Sequence, residues 1–216
     1  MIPYIHNQSK QERRGTMQKI ICHGDSLTLG ADIEPAYRWP SLLQNALGGI
    51  QTINTGIGGD STTGLLCRFV PDVVSQKPDT VVIMGGTNDF WWGIPVNTVI
   101  ANLFSMAYQA RHHGIAPLFG LPTPFDVQQA MQQPWSPPEQ GYDQLLRDIQ
   151  ALTQRVEKEA RESDIPVLDF YTLFVNDNEK VNPALFLEDG VHPNGQGNRK
   201  MAALAAAELK NQFMLP

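Results

Sequence analysis

The sequence predicts an α/β fold built on a five-stranded parallel sheet, and three observations lead there. Short apolar runs end in glycine or polar turns, longer segments of helical period separate them, and the motifs that carry chemistry follow the runs. With 216 residues and 42% hydrophobic content, the chain has enough material for one domain with a sizeable core.

Taken in order, the expected strands are 19–23, 50–54, 80–84, 116–121 and 165–170. The clearest helix is expected over 139–161, where Tyr142, Leu145, Leu146, Ile149, Leu152 and Val156 recur at three-and-four spacing and form a stripe that packs on the sheet. Ser61, Thr62 and Thr63 are expected to cap the next helix, whose Leu65, Leu66, Phe69 and Val70 are expected to be buried. The last helix is expected to start with Asn194 as its cap and to carry Met201, Leu204 and Leu209 inward, which fixes the preceding loop. Residues 1–16 read as a disordered extension ahead of a single domain over 17–216, with Met17 a candidate start; N-terminal sequencing of natively expressed protein beginning at Met1 would contradict that start.

A net charge of -6, with no dense block of lysine and arginine, argues against a nucleic-acid or anionic-membrane surface and for a small-molecule substrate. The first apolar run, 20–22, is too short for a signal-peptide core, and no stretch reaches the roughly 20 apolar residues of a membrane span. A soluble, cytoplasmic protein is therefore expected. Cys22 and Cys67 are too few for a disulfide framework and are read as reduced and structural. Nothing at ligand spacing suggests a metal, and neither a Walker loop nor a dinucleotide fingerprint is present, so no cofactor is expected.

Four blocks carry the chemistry. Gly24-Asp25-Ser26-Leu27 follows the first strand, and Asn54-Thr55-Gly56-Ile57-Gly58-Gly59-Asp60 follows the second. Gly86-Thr87-Asn88-Asp89 follows the third, and Asp189-Gly190-Val191-His192 comes after the fifth. In a parallel sheet the ligand crevice lies beyond the carboxyl ends of the strands, so all four converge on one edge. A serine hydroxyl is a poor nucleophile until a neutral imidazole takes its proton, and an imidazole works best with its second nitrogen held by a carboxylate. Ser26, His192 and Asp189 supply that set, with Asp189 three residues from the ring it would orient.

In these four blocks, across residues 20–193, the chain resembles the SGNH hydrolases, also called the GDSL esterase and lipase family. The resemblance implies a three-layer α/β/α, flavodoxin-like fold. It also implies a serine esterase with Ser26 as nucleophile, His192 as general base and Asp189 orienting it. The implied oxyanion hole consists of the Ser26 amide, the Gly59 amide and the Asn88 side-chain amide. A glycine suits the middle position because the absent Cβ lets its N–H approach a substrate. The expected partner is a small ester or thioester, cleaved through an acyl-serine.

Gly59-Asp60-Ser61 repeats the nucleophile tripeptide, but Ser61 lacks the continuation Leu27-Thr28-Leu29-Gly30 that follows Ser26. His23 ends a strand and is read as a packed residue, and His112-His113 as a helix C-terminus. Trp91, Trp92 and Trp135 are candidate substrate-binding residues, the last within a proline-rich segment, 122–142, expected to form a semi-rigid lid. Either these rings line a pocket for a medium acyl or aryl group, or they pack the lid down and leave room for an acetyl group on a sugar. The compact members of the family include thioesterase/lysophospholipase enzymes and acetylhydrolases, so both remain open. Because the base must be neutral and an ordinary histidine titrates near 6.5, activity is expected to climb between about pH 5.5 and 8.

Overall fold

The computed structural model describes residues 18–213 apart from 177 and 179. The expected extension and the candidate start at Met17 lie outside the described residues. Along the chain run β1 (Gln18–Gly24), α1 (Ser26–Leu29), α2 (Trp39–Leu47), β2 (Ile50–Asn54), α3 (Thr62–Asp72), β3 (Thr80–Met84) and α4 (Thr87–Trp91). Then come α5 (Val96–His112), β4 (Ala116–Gly120), α6 (Val127–Ala130), α7 (Tyr142–Glu162), β5 (Val167–Leu168) and α8 (Gly195–Phe213).

The strands form one parallel sheet in the order β2-β1-β3-β4-β5. Successive side chains of a strand point to opposite faces, and β3 shows the result: Val81 and Ile83 enter one core, Val82 and Met84 the other. The first core is closed by α3, α5 and α7 through Leu65, Phe69, Leu103, Ile149 and Leu152. The second is closed by α2 and α8 through Trp39, Leu43, Met201 and Leu209. Helices on both faces give the three-layer α/β/α arrangement. The strand order turns back at β1, which has β2 on one side and β3 on the other, so the crevice of this topology opens between the ends of β1 and β3.

Several expected boundaries move. The fifth strand shrinks from 165–170 to Val167–Leu168, because only Phe119 and Gly120 of β4 pair with it. The long helix begins at Tyr142, with Gly141 at φ 81 as its cap, and not at 139. Val70 is 50% exposed, since it lies off the stripe of Leu65 and Phe69 that faces the sheet, and Cys67 is exposed beside it with no role in the core. Cys22 is buried, and both thiols are free. The cap at Asn194 is as expected: its Oδ1 accepts from the amides of Gln196 (2.8 Å) and Gly197 (3.2 Å). No described helix is long and apolar enough to cross a membrane.

Candidate active site

Ser26 opens α1 immediately beyond β1. The preceding residue, Asp25, caps this helix by accepting the Leu27 amide at 2.9 Å. The helix is a single turn closed by Gly30 in the left-handed region, so its dipole is a smaller aid to Ser26 than a full helix would be. The turn is tight enough to require a glycine before it: a Cβ on Gly24 would sit 2.2 Å from Thr28 Oγ1 and 2.6 Å from the Met84 carbonyl. Ser26 itself is half-buried, at the edge of the crevice.

The structure brings Ser26 to His192 across 166 residues of sequence. Ser26 Oγ donates to His192 Nε2 at 3.0 Å, and His192 Nδ1 donates to Asp189 Oδ2 at 2.7 Å. The second Asp189 oxygen accepts the amides of Val191 (2.8 Å) and His192 (2.9 Å). Burial pushes the Asp189 carboxyl up, but the bonds from the His192 ring and from the two amides outweigh it, and the net pKa is lowered. Asp189 is therefore an anion aimed at one ring nitrogen, which leaves the other free to take a proton from Ser26.

Buried polar links hold these two distant loops together. Asn198 on α8 donates to the Pro193 carbonyl at 2.8 Å and accepts the Trp39 amide at 2.9 Å, while the Trp39 indole donates to the Leu27 carbonyl at 3.1 Å. From the other side, Asp126 donates its amide to the Gly190 carbonyl at 2.8 Å, so the start of α6 braces the Asp189–His192 loop.

The two further expected donors are Gly59 and Asn88. Gly59 has φ 75, a conformation that favours glycine, and a Cβ there would meet nothing within 4 Å, so the position is held by its backbone conformation and not by close packing. The Asn88 Nδ2 donates one hydrogen to the Asp60 carbonyl at 2.9 Å, which orients the amide and leaves its second hydrogen for another acceptor. Asp89, fully buried, secures the same pair of loops by accepting the Thr62 amide at 2.8 Å and the Thr62 hydroxyl at 2.6 Å. Its carboxyl is raised by burial, against the Thr62 hydrogen bonds. Ser61, the rival serine, spends its Oγ on the Gly64 amide at 3.3 Å as the cap of α3.

Two of the three candidate tryptophans form a wall. Trp135 stands edge-to-face against His192 with centroids 6.3 Å apart, and Trp91 stands edge-to-face against Trp135 at 6.0 Å. Trp91 is held by its indole bond to the Ser136 carbonyl (2.9 Å) and by its contact with Tyr142. Trp92 does not join the wall: it caps α4 just beyond its last residue and is 61% exposed. His23 is fully buried, its Nε2 donating to the Leu65 carbonyl at 3.0 Å and its Nδ1 facing Thr55 Oγ1. Among the described residues, no cluster of three or more metal-ligating side chains occurs.

Comparison with known proteins identifies the family. A model of the GDSL-like lipase/acylhydrolase family matches residues 22–200. The chain belongs to that family. This GDSL-like protein is 28% identical over 198 residues to an arylesterase of Vibrio mimicus, covering 89% of this chain and 88% of that protein. It is 28% identical over 173 residues to an acetylxylan esterase of Geobacillus stearothermophilus, covering 74% and 73% respectively. The crystal structure of a GDSL-like lipase from Bacteroides thetaiotaomicron superposes with a TM-score of 0.74 at 28% identity, covering 91% of this chain and 89% of that one. Like its GDSL relatives, the protein is a hydrolase of ester bonds.

Sequence reasoning missed Arg68, which binds both the end of β1 before Ser26 and the loop that holds Gly59. Its only sequence signals are a lone cation on an otherwise apolar helix face and an aspartate four residues on, at Asp72.

Proposed function

We propose that the protein is a serine esterase that cleaves carboxylic esters or thioesters of small to medium acyl chains through an acyl-serine at Ser26. His192 removes the Ser26 proton as Oγ attacks the carbonyl, and Asp189 stabilises the imidazolium that forms. The amides of Ser26 and Gly59 and the Asn88 side chain receive the oxyanion. His192 then returns the proton to the leaving alcohol or thiol, and water releases the acid by the same steps in reverse.

The observation that carries the choice of substrate is the aromatic wall. Trp135 is 40% exposed and stands edge-to-face beside the His192 ring at 6.3 Å, so a group on the substrate carbonyl would have the indole within reach. Each methylene buried there would contribute about 0.8 kcal/mol, which favours an acyl chain or aryl group over a bare acetyl. A second reading, deacetylation of a sugar, is supported by the likeness to the acetylxylan esterase.

The ratio of kcat/KM for p-nitrophenyl octanoate over p-nitrophenyl acetate separates the two. A ratio well above one supports the apolar wall as an acyl site. A ratio well below one replaces it with the acetylesterase.

A further inference from the structure

We propose that Arg68 is the positioning residue of the oxyanion hole, fixing the Ser26 amide, the Gly59 amide and the Asn88 side chain relative to one another. The inference rests on the esterase reading above, in which these three groups are the donors.

Arg68 lies in the middle of α3, with its side chain only 15% exposed. A guanidinium presents its donors in one rigid plane, so the atoms it binds are held at fixed mutual angles. Here Nη2 donates to the Gly24 carbonyl at 2.9 Å, two residues before Ser26. Nη1 donates to the Thr55 carbonyl at 2.6 Å, at the start of the loop that holds Gly59. Nε donates to Asp60 Oδ2 at 2.7 Å, at the end of that loop. Nη1 also donates to Asp72 Oδ2 at 2.6 Å, one turn along the same helix, which holds the fork in place, and lies 3.5 Å from His23 Nδ1 on β1.

Each tie leads to one donor of the hole. The Gly24 carbonyl also accepts the Ile57 amide at 3.0 Å, so the nucleophile turn and the glycine loop share an acceptor that Arg68 anchors. Asp60 carries the link onward, because its carboxylate is bound to Arg68 while its carbonyl accepts the Asn88 amide. Gly64 explains how the Asp60 carboxylate fits against α3: a Cβ there would lie 1.8 Å from Asp60 Oδ1. The partners of Arg68 thus include the end of β1 and both ends of the glycine loop, atoms that flank the donors. Lysine preserves the charge but has no planar fork to bind three separate directions.

The test is a double-mutant cycle of Arg68→Lys with Asn88→Ala, read as kcat and KM on one p-nitrophenyl ester. Alone, Arg68→Lys is expected to lower kcat by about tenfold to a hundredfold with little change in KM, because misplaced donors are felt in the transition state. In the Asn88→Ala background the same change should cost much less, since part of what Arg68 positions is already gone. A kcat within about twofold of wild type, or losses that multiply in full, overturns the assignment. If thermal unfolding shows that Arg68→Lys does not fold, Asp60→Asn takes its place in the cycle under the same criteria. A wild type that neither turns over esters nor takes an organophosphonate on Ser26 overturns the esterase reading and the proposal with it. An active, labelled wild type with insensitive variants overturns only the role of Arg68.

Discussion

The two sides of the crevice are built differently. On the side of β1, β2 and β3, buried and part-buried hydrogen bonds tie the loops together: Arg68 ties Gly24, Thr55 and Asp60, Asp89 ties Thr62, and Asp60 orients Asn88. On the side of the 122–142 segment the contacts are apolar rings at partial exposure, held to the body by backbone bonds such as Glu139 N to the Trp91 carbonyl at 3.0 Å. Polar groups fixed in a low-dielectric setting cost little reorganisation during the reaction, which is what stabilising a developing oxyanion requires. Rings that stay partly in water bind by area and tolerate different partners. In the proposed mechanism the first side therefore serves catalysis, and the second substrate choice.

The sharpest way to break that contrast is to remove the chemistry itself. Ser26→Ala should lower kcat by about 10⁴-fold or more in ester turnover assays, because the residues of such a set act as a unit. Next in size, Asn88→Ala should cost on the order of a hundredfold to a thousandfold in kcat, on octanoate and acetate alike. A loss confined to one ester would place Asn88 with the substrate wall instead.

Trp135→Ala should do the reverse. It is expected to lower kcat/KM for the octanoate by roughly tenfold, the effect of losing one to two kcal/mol of apolar contact, and to leave the acetate little changed. An equal fall on both esters would mean that the indole positions His192 and does not select substrates.

The smallest effect concerns His23, which belongs to the rigid side without taking part in the chemistry. Burial lowers its pKa to about 4 despite its bond to the Leu65 carbonyl. The unfolded chain, with an ordinary histidine near 6.5, thus binds more protons between the two values, so His23 withdraws stability as pH falls from about 6.5 to 4. His23→Gln should flatten that part of the Tm-against-pH curve relative to wild type, and curves that run parallel would contradict it. Asp25 acts in the opposite sense: burial raises it to about 7, so its contribution to stability falls as pH rises toward neutrality.

The same contrast explains what could be read from the sequence. Apolar runs and the blocks that end them revealed the sheet, Ser26, Asn88, Asp189 and His192, because strands impose a period and turn chemistry restricts which residues follow them. The trimmed fifth strand was hidden, since Ile165 and Phe170 are buried like strand residues but lack a backbone partner in register. Arg68 was hidden too, because an arginine on a helix looks like a solvated charge until the end of β1 and the glycine loop are folded around it. Trp92 was grouped with Trp91 by adjacency alone, yet neighbouring residues on a helical turn point in different directions.

The most direct test of the account is to treat the protein with a fluorophosphonate and locate the adduct by peptide mass spectrometry while ester turnover is followed. The account predicts a single adduct on Ser26 that appears in step with the loss of activity. An adduct on Ser61, or full loss of activity with Ser26 unmodified, would contradict it.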